Sequence, residues 1–251
     1  MAAINEKNNV FLVGTINADL EFSHKTYDES FYKTTIAISR LNKETKDIIP
    51  LTISERLIDI NSIGEGTRVK IQGQFRSYNK YNPETQRKSL ILFVFVKDIV
   101  NISALESGEY DPTSDEYNLI KECSRDRNEI ALDGFLCKAP IYRKTPMGRE
   151  ITDLLIAVNR YKKADYIPCI AWGRNARFFA DAGVGTELNI NGRIQSRTYQ
   201  KRISETEFTD PVTVYEVSII SAGIVSDYQE EEHVKPDDTE QKIDEVVGKD
   251  N

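Results

Sequence analysis

Residues 166–199 read YIPCIAWGRNARFFADAGVGTELNINGRIQSRTY. Three elements are legible in this stretch. Tyr166–Trp172 is short, rich in apolar and aromatic residues, and closed by Gly173, which predicts a strand. Asn175–Ala182 has helical composition and stops at Gly183. Glu187–Tyr199 alternates, with Leu188 and Ile190 on one side and Asn189 and Asn191 on the other, as a half-buried strand does. Upstream, strands are expected over Ile130–Pro140 and over Glu150–Arg160, the latter carrying Ile151, Leu154, Ile156 and Val158. The turn signal Thr145-Pro146-Met147-Gly148 separates them. Downstream, a polar hairpin at about Gln200–Asp210 leads to a fifth strand, Val212–Ile220. Five strands with a short helix between the third and fourth is the order of an OB-fold, a partly open Greek-key barrel.

The plan occurs twice. Val10-Phe11-Leu12-Val13-Gly14 returns as Ile130-Ala131-Leu132-Asp133-Gly134, and Ala37-Ile38-Ser39-Arg40 as Ala157-Val158-Asn159-Arg160. Ile49-Pro50 returns as Ile167-Pro168. Gly66-Thr67, Gly73 and Ser77 return as Gly185-Thr186, Gly192 and Ser196. The offsets of 118 to 120 are too long for a solenoid unit and mark a duplicated domain. Repeat 1 is expected to place strands near 9–20, 31–41, 48–53, 67–78 and 89–99, with a short helix at about Glu55–Ser62. Its last strand, Leu90–Val96, is apolar on both faces. One face fills the barrel and the other needs a cover, from repeat 2 or another subunit. The expected fold class is therefore all-β, two tandem OB-folds. Its parts are 1–105 (a divergent OB-fold), 106–127 (an acidic linker), 128–225 (the second OB-fold) and 226–251 (a disordered acidic tail). Thr113 and Glu116 have capping-box spacing for a short linker helix over 113–123.

Composition narrows the chemistry. Of 251 residues, two are histidine and three are cysteine (Cys123, Cys137, Cys169), without a Cys-x-x-Cys pair. This argues against a disulfide framework, a zinc site or His-based catalysis, so no metal, cofactor or catalytic residue is expected. Gly64-x-Gly66 and Gly183-x-Gly185 follow helices and open strands, the reverse of a phosphate loop. No apolar run reaches transmembrane length and the start lacks signal-peptide features, so no membrane partner and a cytoplasmic, nucleoid-associated location are expected. The net charge of −7 is uneven. Residues 226–251 hold ten acids and three bases, and residues 101–127 hold seven and three. Each repeat carries two more bases than acids: fourteen against twelve in 1–100, thirteen against eleven in 128–225. An acidic chain can thus present basic surfaces to an anionic partner.

Strand periodicity sorts repeat 2 into faces. Ile167, Cys169 and Ala171 turn inward, while Tyr166, Ile170 and Trp172 turn outward. On the next strand Leu188, Ile190, Gly192 and Ile194 turn inward, and Arg193, Gln195, Arg197 and Tyr199 outward. Turns add Arg143, Lys144 and Arg149, then Arg160, Tyr161, Lys162 and Lys163, then Lys201 and Arg202. Rings interleaved with cations on one barrel face suit single-stranded nucleic acid, whose bases stack on flat rings while cations follow the phosphates.

The segments Ile167-Pro168-Cys169-Ile170-Ala171-Trp172-Gly173-Arg174-Asn175-Ala176 and Asn191-Gly192-Arg193-Ile194-Gln195-Ser196-Arg197-Thr198-Tyr199 closely resemble the bacterial single-stranded DNA-binding protein family. The resemblance covers most of residues 128–222. It implies an OB-fold that binds single-stranded DNA without strong sequence preference, protects it in replication, repair or transfer, and is not an enzyme. It also implies base stacking at Tyr161, Tyr166, Trp172 and Tyr199, and brings in Arg174 beside Trp172. Members usually present four OB-folds, so two per chain imply a homodimer. The family commonly ends in an acidic tail with a hydrophobic tip that recruits replication and repair proteins. Here the tail is acidic but ends Val246-Val247-Gly248-Lys249-Asp250-Asn251, which leaves that recruitment in doubt beside a shielding role.

Repeat 1 departs from the pattern. Leu41, Ile48, Ser54 and Lys80 stand opposite Tyr161, Tyr166, Trp172 and Tyr199, and Gln74 opposite Arg193. Tyr78, Tyr81, Phe31 and Tyr32 are candidates for a different surface, and at least one of Phe31 and Tyr32 is expected in the core instead. Repeat 1 is expected to be kept for assembly or for weaker, rearranged binding, and an assembly or adaptor module of a replication complex, with DNA binding secondary, is the alternative function.

Overall fold

The computed structural model describes residues 7–42, 44–83, 86–108, 111, 113–200 and 211–226. Repeat 1 comprises β1 (Asn8–Ile16), β2 (Glu21–Thr26), β3 (Glu29–Ser39), β4 (Lys46–Ser54), β5 (Arg68–Asn82) and β6 (Arg87–Asn101). Two helices follow, α1 (Ile102–Glu106) and α2 (Asp115–Glu122). Repeat 2 comprises β7 (Arg127–Leu136), β8 (Ile141–Lys144), β9 (Glu150–Arg160), β10 (Lys163–Trp172), α3 (Arg174–Phe179), β11 (Glu187–Tyr199) and β12 (Val212–Ser226).

Each repeat closes into a barrel by the same pairings. In repeat 1, β1 joins both β5 and β3, β3 joins β4, β4 runs parallel to β6, and β6 returns to β5. In repeat 2, β7, β9, β10, β12 and β11 repeat that circuit, with β10 and β12 parallel. This is the five-stranded OB-fold barrel, and β2 and β8 extend it as outer strands on β3 and β9. Alternation builds the interior: Leu154, Ile156, Val158, Ile167, Cys169, Ala171, Leu188, Ile190 and Ile194 are buried, as their spacing predicts. At the barrel corners Gly73 and Gly192 each sit at a bulge, where β5 and β11 leave their shared pairing with β1 and β7. A Cβ at either glycine would run into a backbone carbonyl, of Phe95 or of Ser218. The close approach of the two strands therefore needs glycine.

Several expected elements differ. The first strand of each repeat is shorter, and a separate outer strand follows. In repeat 2 the break falls before Pro140, which has no N–H to continue a ladder. The helix expected at Glu55–Ser62 is two single turns of 3-10 helix, Glu55–Leu57 capped by Ser54 and Ile60–Ser62 capped by Asp59. The linker helix α2 is capped by Ser114, whose hydroxyl accepts from the Tyr117 amide at 3.1 Å, whereas Thr113 bonds to Asp111. The expected disordered tail lies outside the described residues, apart from its first residue.

The barrels are joined through β1 and β7, which pair antiparallel over six residues from Asn8↔Leu132 to Val13↔Arg127. Val10 pairs with its own repeat counterpart, Ile130. The joint is thus a pseudo-two-fold, the intramolecular version of an isologous contact. The two barrel interiors run together as one buried cluster. Beside the joint, Ile102 and Cys123 from the linker segment pack on Val13, with Phe11 and Leu119 at the edge.

Candidate nucleic-acid interface

The outer face of β10 carries two of the expected rings. Tyr166 and Trp172 lie six residues apart on the same side, roughly 20 Å along the strand. They are 43 and 38 % exposed. Ile170, expected outside between them, faces the same way but is buried. Tyr161 forms the tip of the β9–β10 hairpin with φ 50° and is 88 % exposed. Lys162 Nζ stands 5.5 Å from the centre of its ring. Tyr199 ends β11, with the Arg197 guanidinium 5.9 Å from its ring, and β12 separates it from β10. Rings at three edges of one barrel, each with a cation or an open flank, can stack unpaired bases while phosphates pass between them.

The cations divide into two sets. Lys144, Lys162, Arg174 and Arg197 are exposed, without an ion pair among the described residues. Arg143 is partly neutralised: its Nε and Nη2 both donate to Asp153, at 3.0 and 2.8 Å. Arg160 and Arg193, expected on the phosphate path, are drawn into the joint between the repeats. Arg193 Nη1 donates to Asp47 of repeat 1 at 2.9 Å, and Arg160 Nε to Asp165 at 2.9 Å. Gln195, read as outward, is buried there as well, since an outward face of one repeat is an inward face of the pair. Lys201 and Arg202 lie outside the described residues.

This joint was not anticipated, yet its members recur in the sequence. Asp47 accepts from Arg40, Arg193 and the Ser196 amide, and Ser196 Oγ in turn accepts from the Ile48 amide at 3.0 Å. On the mirror side Asp165 accepts from Arg160 and the Ser77 amide, and Ser77 Oγ accepts from the Tyr166 amide at 2.7 Å. Arg40 and Arg160, Asp47 and Asp165, and Ser77 and Ser196 are repeat counterparts. Their recurrence at offsets of 118 to 120 is the signal that could have revealed them. One asymmetry remains. Repeat 2 has Arg193 and Gln195 on β11 where repeat 1 has Gln74 and Arg76 on β5, the same two residue types exchanged. Burial lowers the pKa of Arg193; Asp47 pulls it back up and Arg40 adds to the depression.

The apolar outer face of β6 is also resolved. Phe93 and Phe95 are covered in part by their own repeat: the Arg76 guanidinium lies 3.7 Å over the Phe95 ring, Tyr78 meets Phe93 edge-on, and Phe31 leans on Phe95. Repeat 2 borders the Leu90–Leu92 end across a groove that Pro168 and Tyr199 also line, and Arg160 lines a second groove beside Phe93 and Phe95. Phe31 and Tyr32 are half-buried, and Tyr78 and Tyr81 are exposed.

Among the described residues no three His, Cys, Asp or Glu side chains are grouped to hold a metal ion. No helix there is long and apolar enough to cross a membrane.

Comparison with known proteins points to one family. The model of the single-strand binding protein family matches residues 127–220. A single-stranded DNA-binding protein of Clostridium tetani is 32% identical over 104 residues, covering 38% of this chain and 72% of that protein. Single-stranded DNA-binding protein A of Bacillus subtilis is 31% identical over 101 residues, 37% of this chain and 59% of its own length. The crystal structure of the wild-type single-stranded DNA binding protein from Thermus aquaticus superposes with a TM-score of 0.60 at 17% identity. It covers 87% of this chain and 93% of that one, so the shared fold extends over both repeats.

Proposed function

Since the chain belongs to the single-strand binding protein family, we propose that its second repeat binds single-stranded DNA along the face bearing Tyr161, Tyr166, Trp172 and Tyr199. Lys144, Lys162, Arg174 and Arg197 supply the phosphate contacts, with Arg143 and Arg160 contributing the donors that their carboxylates leave free, and Lys201 extending the hairpin. Arg193 supports this face through Asp47. Base stacking on single-strand-binding OB-folds contributes roughly 1–3 kcal/mol per base and tolerates any sequence. The ionic part weakens linearly in log salt. The chain thus coats and protects single strands in replication, repair or transfer as a binding protein rather than an enzyme, in the cytoplasm at the nucleoid. A homodimer brings four barrels together, and the acidic tail is a candidate contact for replication and repair proteins.

The observation that carries this reading is the exposure of Tyr161, Tyr166 and Trp172 among cations within the segment the family model covers. Trp172 is the only tryptophan, so quenching of its fluorescence by oligo-dT reads this site directly. Tyr166→Ala is expected to weaken binding at least about tenfold. Unchanged affinity would remove this face from the account.

A further inference from the structure

Repeat 1 has no ring at the four stacking positions, but it has rings elsewhere, and they line a groove. The groove has a volume of about 710 Å3 and runs between the β2–β3 edge and β5–β6. Its floor and walls include Phe93, Phe95, Tyr78 and Arg76. The ring positions follow from strand register. Ser54 pairs with Phe31 where Trp172 pairs with Ile151, so an aromatic has crossed to the neighbouring strand. Phe93 and Phe95 pair with Arg76 and Gln74, whereas in repeat 2 Glu216 and Ser218 pair with Gln195 and Arg193. A carboxylate and a hydroxyl are thus replaced by two rings.

The charge differs as well. The exchange of Arg and Gln puts Arg193 on Asp47 but leaves Arg76 without an ion pair among the described residues. Arg76 Nη2 donates to Gln74, and its buried Nε finds no hydrogen-bond partner. Burial, then the neighbouring Arg160, push the Arg76 guanidinium down to about 10, with Asp165 opposing. Lys33 and Arg160 also line the groove. Asp19 and Glu21 stand at its rim, where Asp19 is engaged by the Glu65 amide.

The groove is continuous with repeat 2. Arg160, which immediately precedes Tyr161, forms part of its wall, and Ser77 holds the Tyr166 amide. We infer that this groove takes the continuation of the strand held by repeat 2, with a phosphate at Arg76 and bases against Tyr78 and Phe93. A cation lacking its counter-ion beside partly exposed rings is what a phosphodiester and its base complement. The inference rests on the single-stranded DNA reading of repeat 2.

The test uses the full chain, Trp172 quenching, and two lengths of oligo-dT, one of about 8 nucleotides for a single barrel and one of about 30 to reach both. Tyr78→Ala and Lys33→Glu change exposed side chains of the groove in repeat 1, whereas Trp172 belongs to repeat 2 and does not line it. Each is expected to leave the short oligomer's affinity within about twofold and to weaken the long one roughly tenfold, with Arg76→Gln doing the same. If all three bind both lengths like the wild-type chain, the groove does not hold the strand and the inference fails alone. If the wild-type chain shows no quenching with either length, the reading of repeat 2 fails with it.

Discussion

The two repeats share a barrel and differ in what they place on it. Repeat 1 buries Leu12, Ile71 and Phe75 where repeat 2 buries Leu132, Ile190 and Ile194, and both need a glycine at the same bulge. Their outer faces diverge: Trp172 against Ser54, Tyr166 against Ile48, Glu216 against Phe93, Ser218 against Phe95. Interior positions are constrained by close packing, so they can change little without loss of stability. Outer positions are constrained only by what they touch, and here each repeat touches the other. The lesson is that a duplicated fold can divide its labour by moving rings and exchanging an Arg–Gln pair while the scaffold stays fixed.

The largest expected effect breaks what the repeats have in common. Asp47→Ala removes the carboxylate that Arg40, Arg193 and the Ser196 amide share, and Asp165→Ala removes the mirror contact. Losing one member of a fully buried ion pair costs about 3–5 kcal/mol, and less is expected here because the guanidiniums are about a third exposed. Chemical denaturation should show the larger loss for Asp47→Ala, because two guanidiniums bond to it and one to Asp165. A change below about 1 kcal/mol in both variants would mean that the joint does not hold the repeats together.

Next comes the binding face. Trp172→Ala should weaken oligo-dT binding at least about tenfold by anisotropy of a labelled oligomer, while Ser54→Ala at the matching position should leave it within about twofold. Equal losses would erase the functional difference between the repeats.

A smaller effect concerns the linker, which clasps repeat 1 through Asp126. Asp126 accepts from the Ser39 amide at 2.8 Å and from Arg68 at 2.8 Å. Burial works to raise its pKa, but these bonds prevail and leave it below the ordinary value of 3.8. A depressed folded-state pKa adds stability that is full above that ordinary value and is lost as pH falls through the folded one. Melting temperature should therefore drop in acid less steeply in Asp126→Asn than in the natural chain, and identical acid profiles would count against the clasp. The smallest effect is a gain: Lys80→Tyr restores a ring opposite Tyr199 and should tighten binding of a long oligomer a few-fold in the same anisotropy assay.

Much of this was legible in the sequence. Glu187–Tyr199 and Glu150–Arg160 were read with the bounds they have, because each alternates against one buried face. β2 and β8 were not, because they are short and almost wholly exposed and so leave no periodic trace. The rings proposed to stack bases were visible in part as outward aromatics, Tyr166 and Trp172 on one half-buried strand and Tyr199 on the next. The capture of Arg193 by Asp47 was not, because it joins residues 146 positions apart and depends on how one barrel docks on the other. Ile170 misled for the same kind of reason: parity placed it outward correctly, but neighbouring residues bury it.

The central claim, that binding is led by the second repeat, is tested most directly by a matched pair of exposed substitutions. Tyr161 and its counterpart Leu41 are both exposed hairpin-tip residues, so neither change should trouble the fold. Trp172 quenching by oligo-dT is to be compared in Tyr161→Ala and in Leu41→Ala. The account predicts at least about a tenfold loss of affinity in the first and less than a twofold change in the second. Equal affinities in the two, or a greater loss from Leu41→Ala, would contradict it.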